Sequence, residues 1–409
     1  MIHMEKVLEK VDFLLGEKFE TGDNLLHQRS FEIFSDITLS FLSDISKELL
    51  NSPVVREYPD VATFAFYCRE SNLNVIKRNY FNDIDLKIGR GILFHITPGN
   101  VPVNFAYSLL AGLLTGNTNI VRVPSKKFQQ VDIIINAIKA VLSSERYKSI
   151  FTNRIFLLRY NKESGATEFF SKLCDIRVIW GGNKTIDEIR KFPLLPKSSD
   201  VTFSDRYSIS IIKAESYLGC HDKSKLAVDF YNDTYLFDQN ACTSPRAIYW
   251  LGSPEHIDIA QKEFWYLLEQ VLKEKRFKIQ PLISIEKLTA FYSQAISFGN
   301  IKKEPNSNND IWRVKNKSVY QGIDEFQCSS GYFNEVSISK LVELSNVISR
   351  RYQTVGYFGF SKIELNDWVI ENKMLGIDRI VPIGRTMDFS LIWDGIDLVS
   401  AFSRKIDIV

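Results

Sequence analysis

No two of the five cysteines (Cys68, Cys174, Cys220, Cys242, Cys328) stand in C-x-x-C spacing, and their number is odd. Neither a disulfide framework nor a zinc site follows from such scattering, and a reducing compartment, the cytoplasm, is expected. Net charge is nearly absent: 51 basic and 49 acidic side chains leave +2 over 409 residues. Without a basic stripe nucleic acid is not an expected partner, and no polybasic or lipidation signal suggests a membrane surface. Internal repeats and low-complexity tracts are lacking. The start, Met1-Ile2-His3-Met4-Glu5-Lys6, turns charged too early for a signal peptide. One stretch, residues 91–121, has no charged side chain at all and is long enough to cross a bilayer. Yet Pro98, Asn100, Pro102, Asn104, Gly116, Asn117 and Asn119 interrupt it. Proline costs about 3 kcal/mol in a helix interior and amides are costly in lipid, so a buried strand, loop, helix and strand are expected, not a span.

What is present is the composition of a globular protein, 45% apolar and 24% charged. The length exceeds one core, so two domains are expected. The first 80 or so residues read as helical, with apolar residues at helical spacing over 34–50 and a second helix over 60–76. An alternation then begins. Strands are expected at 91–97, 119–123, 154–158 and 176–180, and helices at 101–114, 127–142, 166–173 and 183–190. That pattern predicts βαβ units and a doubly wound parallel sheet, an α/β class. Ligands of such sheets bind beyond the carboxyl ends of the strands, so the loops after Thr97, Val123 and Trp180 should share a crevice. Beyond Pro193 and Pro196 a strand is expected at 207–212, a helix at 224–231 and an exposed loop at 302–309. A further strand at 355–360 and helix at 365–375 follow.

The most suggestive cysteine is Cys242, in Asp238-Gln239-Asn240-Ala241-Cys242-Thr243-Ser244-Pro245-Arg246, just ahead of the apolar run Ala247-Ile248-Tyr249-Trp250-Leu251. The run predicts a buried strand, which puts Cys242 on a tight connection at the mouth of a sheet. A thiolate there would be held rigidly and still be reached. The alternative is a small buried hydrophobe, the commoner fate of a free cysteine.

Read together, four stretches resemble the aldehyde dehydrogenase superfamily, and within it the LuxC-type fatty acyl thioester reductases. Thr97-Pro98-Gly99-Asn100-Val101-Pro102 is similar to the superfamily's proline-x-Asn-x-Pro loop. Gly116-Asn117-Thr118-Asn119-Ile120-Val121-Arg122-Val123-Pro124-Ser125 resembles its Gly-Asn strand with a Pro-Ser turn. Residues 238–246 resemble its Gln-x-x-Cys nucleophile loop. Residues 380–395, Ile380-Val381-Pro382-Ile383-Gly384-Arg385 through Trp393-Asp394-Gly395, are similar to the LuxC-type C-terminal signature. Order and spacing agree from about residue 91 to the end. Two features depart from the superfamily. Val201-Thr202-Phe203-Ser204-Asp205 has no Glu where aldehyde-oxidising members keep a general base, which suits thioester chemistry. Gly182 is present, but the second glycine of the cofactor-loop pattern falls near Asp187.

The resemblance implies an aldehyde dehydrogenase-like fold: a cofactor domain over 1–212, a catalytic domain over 213–384 and a C-terminal oligomerisation element over 385–409. It implies NADPH-dependent reduction of a fatty acyl thioester, acyl-CoA or acyl-protein, to the aldehyde. Cys242 would be the nucleophile and Asn100 the oxyanion donor. Thr97, Pro98, Arg122, Ser125, Gly181, Gly182 and Asn183 would bind the cofactor, the Arg122 guanidinium facing the adenosine 2′-phosphate with Lys126 assisting. An acyl-protein synthetase partner and a homo-oligomer are further expectations. His95, inside a strand, reads as a core residue. His221 and Glu325 are weaker candidates, for acid/base work and for contact with the nicotinamide ribose. Three other readings stay open: a short-chain CoA-acylating aldehyde dehydrogenase, a non-redox acyltransferase, and a non-catalytic subunit of an acyl-reductase assembly.

Overall fold

Apolar runs alternating with helical periods have one stable outcome, parallel strands covered by helices. The chain contains two such sheets. The structure, a computed structural model, describes residues 6–18, 28–80, 87–305 and 308–408. It divides into two compact units, one of Met1–Ser204 with Ile396–Val409 and the other of Asp205–Gly395. No helix among the described residues is long and apolar enough to cross a membrane.

The first unit begins with β1 (Asp12–Leu15), α1 (Asp36–Asn51), α2 (Pro59–Tyr67), α3 (Glu70–Asn79) and β2 (Lys87–Gly89). The single helix expected over 60–76 is two. Arg69 is extended (φ −60°, ψ 141°), and Asn72 Nδ2 donates to Tyr67 O at 2.7 Å, satisfying a carbonyl at the broken end. The alternation follows: β3 (Ile92–Ile96), α4 (Asn104–Leu114), β4 (Thr118–Arg122), α5 (Gln129–Leu142), α6 (Glu145–Phe151), β5 (Ile155–Arg159), α7 (Ala166–Ser171), β6 (Ile176–Trp180), α8 (Asn183–Arg190) and β7 (Ser199–Phe203). Strand order is β1-β5-β4-β3-β6-β7. Every pair from β5 to β7 is parallel, and β1 closes the edge antiparallel. Strands β3 and β6 are buried at every position, as strands covered on both faces must be. The chain runs outward from β3 to β5 on one side and from β6 to β7 on the other. The switch in direction therefore lies between β3 and β6, where doubly wound sheets open a crevice at the strands' carboxyl ends.

The second unit contains β8 (Tyr207–Lys213), α9 (Ala214–Leu218), α10 (Lys223–Thr234), β9 (Pro245–Leu251), α11 (Pro254–Glu274), α12 (Pro281–Phe298), β10 (Ile301–Lys303), β11 (Trp312–Asn316), β12 (Tyr332–Ile338), α13 (Val342–Ser345), β13 (Tyr352–Phe358), α14 (Lys362–Asn372) and β14 (Arg379–Pro382). Its order is β10-β11-β12-β9-β8-β13-β14, parallel except for the β10 edge. The exposed loop expected over 302–309 is partly this edge strand. Ile301 is buried while Lys302 and Lys303 point outward, and edge lysines read as loop by composition. Residues 306 and 307 lie outside the described residues. Alternation along β9 feeds two cores: Ile248 and Trp250 join Phe264 and Phe333, while Ala247 and Tyr249 join Val336 and Trp368.

The sequence sets the change of domain at 212/213 and separates a tail from 385. The compact units change at 204/205 and 395/396, because β8 hydrogen-bonds to β9 and β13. Residues from Ile396 return to the first unit. There the strand Ser403–Lys405 pairs antiparallel with β2, and Asn117 Nδ2 donates to Phe402 O at 2.9 Å.

Candidate active site

In the first unit the residues singled out by sequence stand at the carboxyl ends of β3, β4 and β6. Thr97 is buried and its hydroxyl donates to Arg122 O at 2.7 Å, tying the loop after β3 to the end of β4. Pro98 is half-buried, while Gly99 and Asn100 are exposed. A Cβ on Gly99 would meet nothing within 4 Å, so room and not packing surrounds this loop. Arg122 ends β4 with its guanidinium 4.8 Å from the Tyr160 ring. Its Nη2 donates to Tyr160 O at 3.3 Å and reaches Ser125 Oγ at 3.5 Å, leaving a buried Nε without a partner. Ser125 and Lys126 are exposed. The turn after β6 is half-exposed at Gly181 and Gly182, and exposed at Asn183, where α8 begins. Gly182 precedes that helix as its N-cap with no side-chain cap.

Two histidines and one glutamate follow their residues' chemistry. His95 is fully buried, its imidazole between Ser108 Oγ (2.7 Å) and Asn119 Oδ1 (3.0 Å). Burial pushes it down to about 4 against the Asn119 hydrogen bond, so it is a neutral core residue, as expected from its place in a strand. Gly112 is obligatory beside it, because a Cβ there would lie 1.8 Å from Asn119 Oδ1. His221 is exposed ahead of α10, and Glu325 is exposed in the short turn Ile323–Glu325.

In the second unit Cys242 sits in the turn that enters β9, and backbone strain begins the turn. Asp238 (φ 50°) and Gln239 (φ 60°) are both left-handed, and the buried Gln239 amide compensates. Its Nε2 donates to Pro245 O (2.8 Å) and Tyr332 O (3.1 Å), and its Oε1 accepts from the N–H groups of Gly331 (2.9 Å) and Tyr332 (3.1 Å). All four bonds join the loop to itself and to β12. Arg246 adds two more, from Nη2 to Gln239 O (2.7 Å) and from Nη1 to Cys328 O (3.0 Å). Ser208 Oγ on β8 donates to Cys242 O at 2.6 Å. The turn that holds Cys242 is thus bonded to β8, β9 and β12, while Cys242 itself stays partly exposed.

Gln353 on β13 donates through Nε2 to Asp394 Oδ1, and Arg206 Nε lies 3.7 Å from Asp394 Oδ2. Burial, then Asp394, push the Cys242 thiol up to about 11, against the pull of Gln353 and Arg206. Arg246 and Arg379 also feel the sulfur's charge. By contrast, burial alone raises Cys68 well above the ordinary thiol range, and Cys174 to about 12 despite nearby Arg177. The signature stretch supplies further contacts. Met387 Sδ lies 3.3 Å from Thr243 Oγ1, and Asp233 on α10 accepts from the N–H groups of Gly384 (2.6 Å) and Thr386 (3.0 Å).

Sequence reading passed over Gln353, Asp394 and Arg206. Asp394 lay within the quoted signature, but nothing in the spacing of Arg206 or Gln353 tied them to Cys242. It also passed over Arg159, which ends β5 with Nε donating to Pro124 O at 3.1 Å and a buried, unpartnered Nη2. Asn100 belongs to the first unit and Cys242 to the second.

Solved structures with the same architecture are aldehyde dehydrogenases. A NAD-dependent benzaldehyde dehydrogenase from Corynebacterium glutamicum matches with a TM-score of 0.59 at 8% identity, over 94% of this chain and 86% of that one. Lactaldehyde dehydrogenase from Escherichia coli matches at 0.58 and 12% identity, over 90% and 85%. The aldehyde dehydrogenase fold expected from sequence is the fold observed. In sequence, the long-chain acyl-protein thioester reductase of Vibrio harveyi is 27% identical over 301 residues, 72% of this chain and 59% of that protein. The Aliivibrio fischeri protein of the same name is 23% identical over 164 residues, 40% of this chain and 32% of its own. The chain thus matches less than two thirds of either relative's length. The family profile described as acyl-CoA reductase (LuxC) matches residues 76–405, most of the chain, and the protein belongs to that family.

Proposed function

We propose that the protein reduces a fatty acyl thioester, acyl-CoA or acyl-protein, to the aldehyde through a covalent acyl-Cys242 intermediate, with NADPH as reductant. The observation that carries this reading is the setting of Cys242 in a member of the acyl-CoA reductase family. Cys242 is a partly exposed residue on a turn braced by the Gln239 amide, Arg246 and Ser208. A nucleophile held in one geometry among polar groups is what acyl transfer needs.

The steps balance as follows. The Cys242 thiolate attacks the thioester carbonyl, the bond to the carrier sulfur breaks, and the carrier leaves as a thiolate that takes up a proton. A bound nicotinamide would supply the hydride that converts the acyl-cysteine carbonyl to a thiohemiacetal. The carbon–sulfur bond of that adduct then breaks, releasing the aldehyde and restoring the cysteine. The oxyanion role of Asn100 rests on the resemblance of its loop and on its exposure.

The first unit's residues fit a dinucleotide. The parallel order puts a switch point between β3 and β6, and open loop and glycine turn follow those strands. The unpartnered Arg122 Nε supports a phosphate there, and that is the ground for NADPH over NADH. An acyl-protein synthetase partner is an extension of the same reading, drawn from the relatives' names.

The test is acyl-CoA-dependent oxidation of NADPH and NADH across a chain-length series, with intact mass of the protein after incubation with acyl-CoA alone. The expected result is an acyl adduct on the native chain that Cys242→Ala lacks, with NADPH preferred and long chains favoured. An adduct of unchanged size on Cys242→Ala would remove the nucleophile assignment. Acylation without nicotinamide oxidation would leave an acyltransferase.

A further inference from the structure

Helix α12, inside the second unit, is built with polar groups inward and apolar ones outward. Its inner face packs Phe291 and Phe298 against Trp312 and Tyr332, and the same face carries two fully buried polar side chains, Lys287 and Gln294. Lys287 Nζ donates to Asn309 O at 2.6 Å and also to Ser330 O. Gln294 Nε2 donates to Asn334 Oδ1 at 2.6 Å, and its Oε1 accepts from the Tyr332 hydroxyl at 2.9 Å. Those bonds fix which way the helix faces, because turning it would strip a buried ammonium and a buried amide of their partners. The opposite face is apolar. Leu282, Ile285, Leu288, Tyr292 and Ile296 are between 43% and 86% exposed. Thr289 stands exposed among them, its hydroxyl turned back to Ile285 O at 3.0 Å. Leu282, Ile285, Thr289, Tyr292 and Ile296 follow one another at steps of three, four, three and four residues. That is heptad spacing, which lines up a seam for a second helix. Lys287 and Gln294 occupy the positions opposite the seam.

We infer that this face docks a second copy of the chain, α12 against α12 across a two-fold axis near Thr289. Size supports it. Five side chains so exposed present about 500–600 Å², the upper end for the largest patch on a monomer and most of the roughly 800 Å² that each partner gives a standard interface. The pattern points to the same helix as partner. Leu282 and Ile296 stand seven residues to either side of Thr289, and Ile285 and Tyr292 stand four and three. The seam therefore reads nearly the same in both directions, as a contact between identical patches requires. Its smallest side chain is at the centre, where two helices crossing on the axis come closest. Charge agrees. Glu286 and Lys287 are the two charged residues in 281–298, and Lys287 is buried, so a copy meets little charge of its own sign. A lipid surface is the poorer occupant, since an interfacial helix is held by lysines and arginines beside its apolar face. Here the exposed charge on the helix is the Glu286 carboxylate. The contact is made by α12 and not by the tail over 385–409, to which the family resemblance assigns oligomerisation.

The experiment is sedimentation velocity on the full chain over a concentration series, with circular dichroism as a folding control. The native chain should sediment as a dimer or a multiple of one. Ile285→Glu combined with Ile296→Glu sets like charges against each other across the axis. It should halve the mass and weaken association roughly hundredfold or more, with the fold kept because both side chains are exposed. Thr289→Cys is a second test that leaves the face apolar. Near the axis the new thiol meets its own copy, so a short bismaleimide should give a crosslink at position 289, read by peptide mass. Tyr266→Cys, exposed on α11, should give none at position 266. A native chain that stays monomeric up to about 100 µM overturns the inference, and liposome binding that the glutamates abolish would then give the face to lipid. A native oligomer whose mass the glutamates leave unchanged overturns it as well, as does a crosslink at position 266 without one at 289. Neither measurement uses an acyl substrate or a nicotinamide, so this inference and the proposed function stand or fall separately.

Discussion

At the scale of single residues, titration separates the chemistry from the core. Cys242, pushed up to about 11, is a thiol at neutral pH, and only the thiolate attacks. Its alkylation rate should climb close to tenfold per pH unit from pH 7 to 9, with no plateau in that range. A plateau by pH 8 would mean that the pull of Gln353 and the arginines exceeds burial and Asp394. His95 tests stability instead. Its folded value near 4 lies below the ordinary 6.5, so the unfolded chain takes up the proton first as pH falls. The stability it lends is complete above pH 6.5 and is lost toward pH 4, about 2 kcal/mol of it between pH 7 and 5. Denaturant titrations should therefore show a flatter pH dependence for His95→Gln than for the native chain over that interval. The role of His95 was legible in sequence, because a histidine inside an apolar strand has few other fates. Gln353 was not. Some 110 positions separate it from Cys242, and only the order of the second sheet brings β13 close to the turn before β9.

At the scale of elements, the strands from β3 to β6 and the helices α4, α5, α7 and α8 were legible, since each apolar run is short and bounded by turn residues, whereas α6 was not expected. Some of the strands that escaped reading are ones that their partners, not their composition, make strands. β1 is four residues on an antiparallel edge. β7 carries Ser199, Asp200 and Thr202 on the opposite edge. β10 is two exposed lysines and an isoleucine. The turn after β14 shows the same dependence on a distant partner. Asp233 on α10 accepts the N–H groups of Gly384 and Thr386 with different oxygens, and burial lifts its carboxyl to about 7 against those bonds. An amide at this position can accept with one end only and turns donors against the other N–H. Asp233→Asn should therefore lower stability by about 1–3 kcal/mol in denaturant titrations at pH 8. The sign of its pH dependence is opposite to that of His95. A carboxyl whose folded value is raised lends stability below its ordinary value and loses it as pH rises through 7, so the cost of Asp233→Asn should be greater at pH 5 than at pH 8.

At the scale of the whole molecule, the second unit is one uninterrupted segment, Asp205–Gly395, while the first is completed by the tail from Ile396. That return explains why the domain edges were the least legible feature: no proline- or glycine-rich linker marks 204/205, and the tail's short apolar run could serve any partner. Within the first unit the tail is structural. Leu398, Val399 and Phe402 are each at most 1% exposed. Ser403–Lys405 extends β2, and Arg90 Nε donates to Ser403 O at 3.2 Å. Burying three such side chains is worth roughly 5 kcal/mol or more at about 1.5–3 kcal/mol each, comparable with the stability of a whole domain. A chain ending at Gly395 should therefore lose the fold of its first unit, visible as rapid proteolysis of Met1–Ser204, while the segment 205–395 survives with its Cys242 alkylation rate intact. The role in oligomerisation implied by family resemblance makes a different forecast for the same truncation: a smaller particle by light scattering, with both segments still resistant to protease. Loss of protection confined to the first unit would make the tail a part of that unit's core, whatever it also does between subunits.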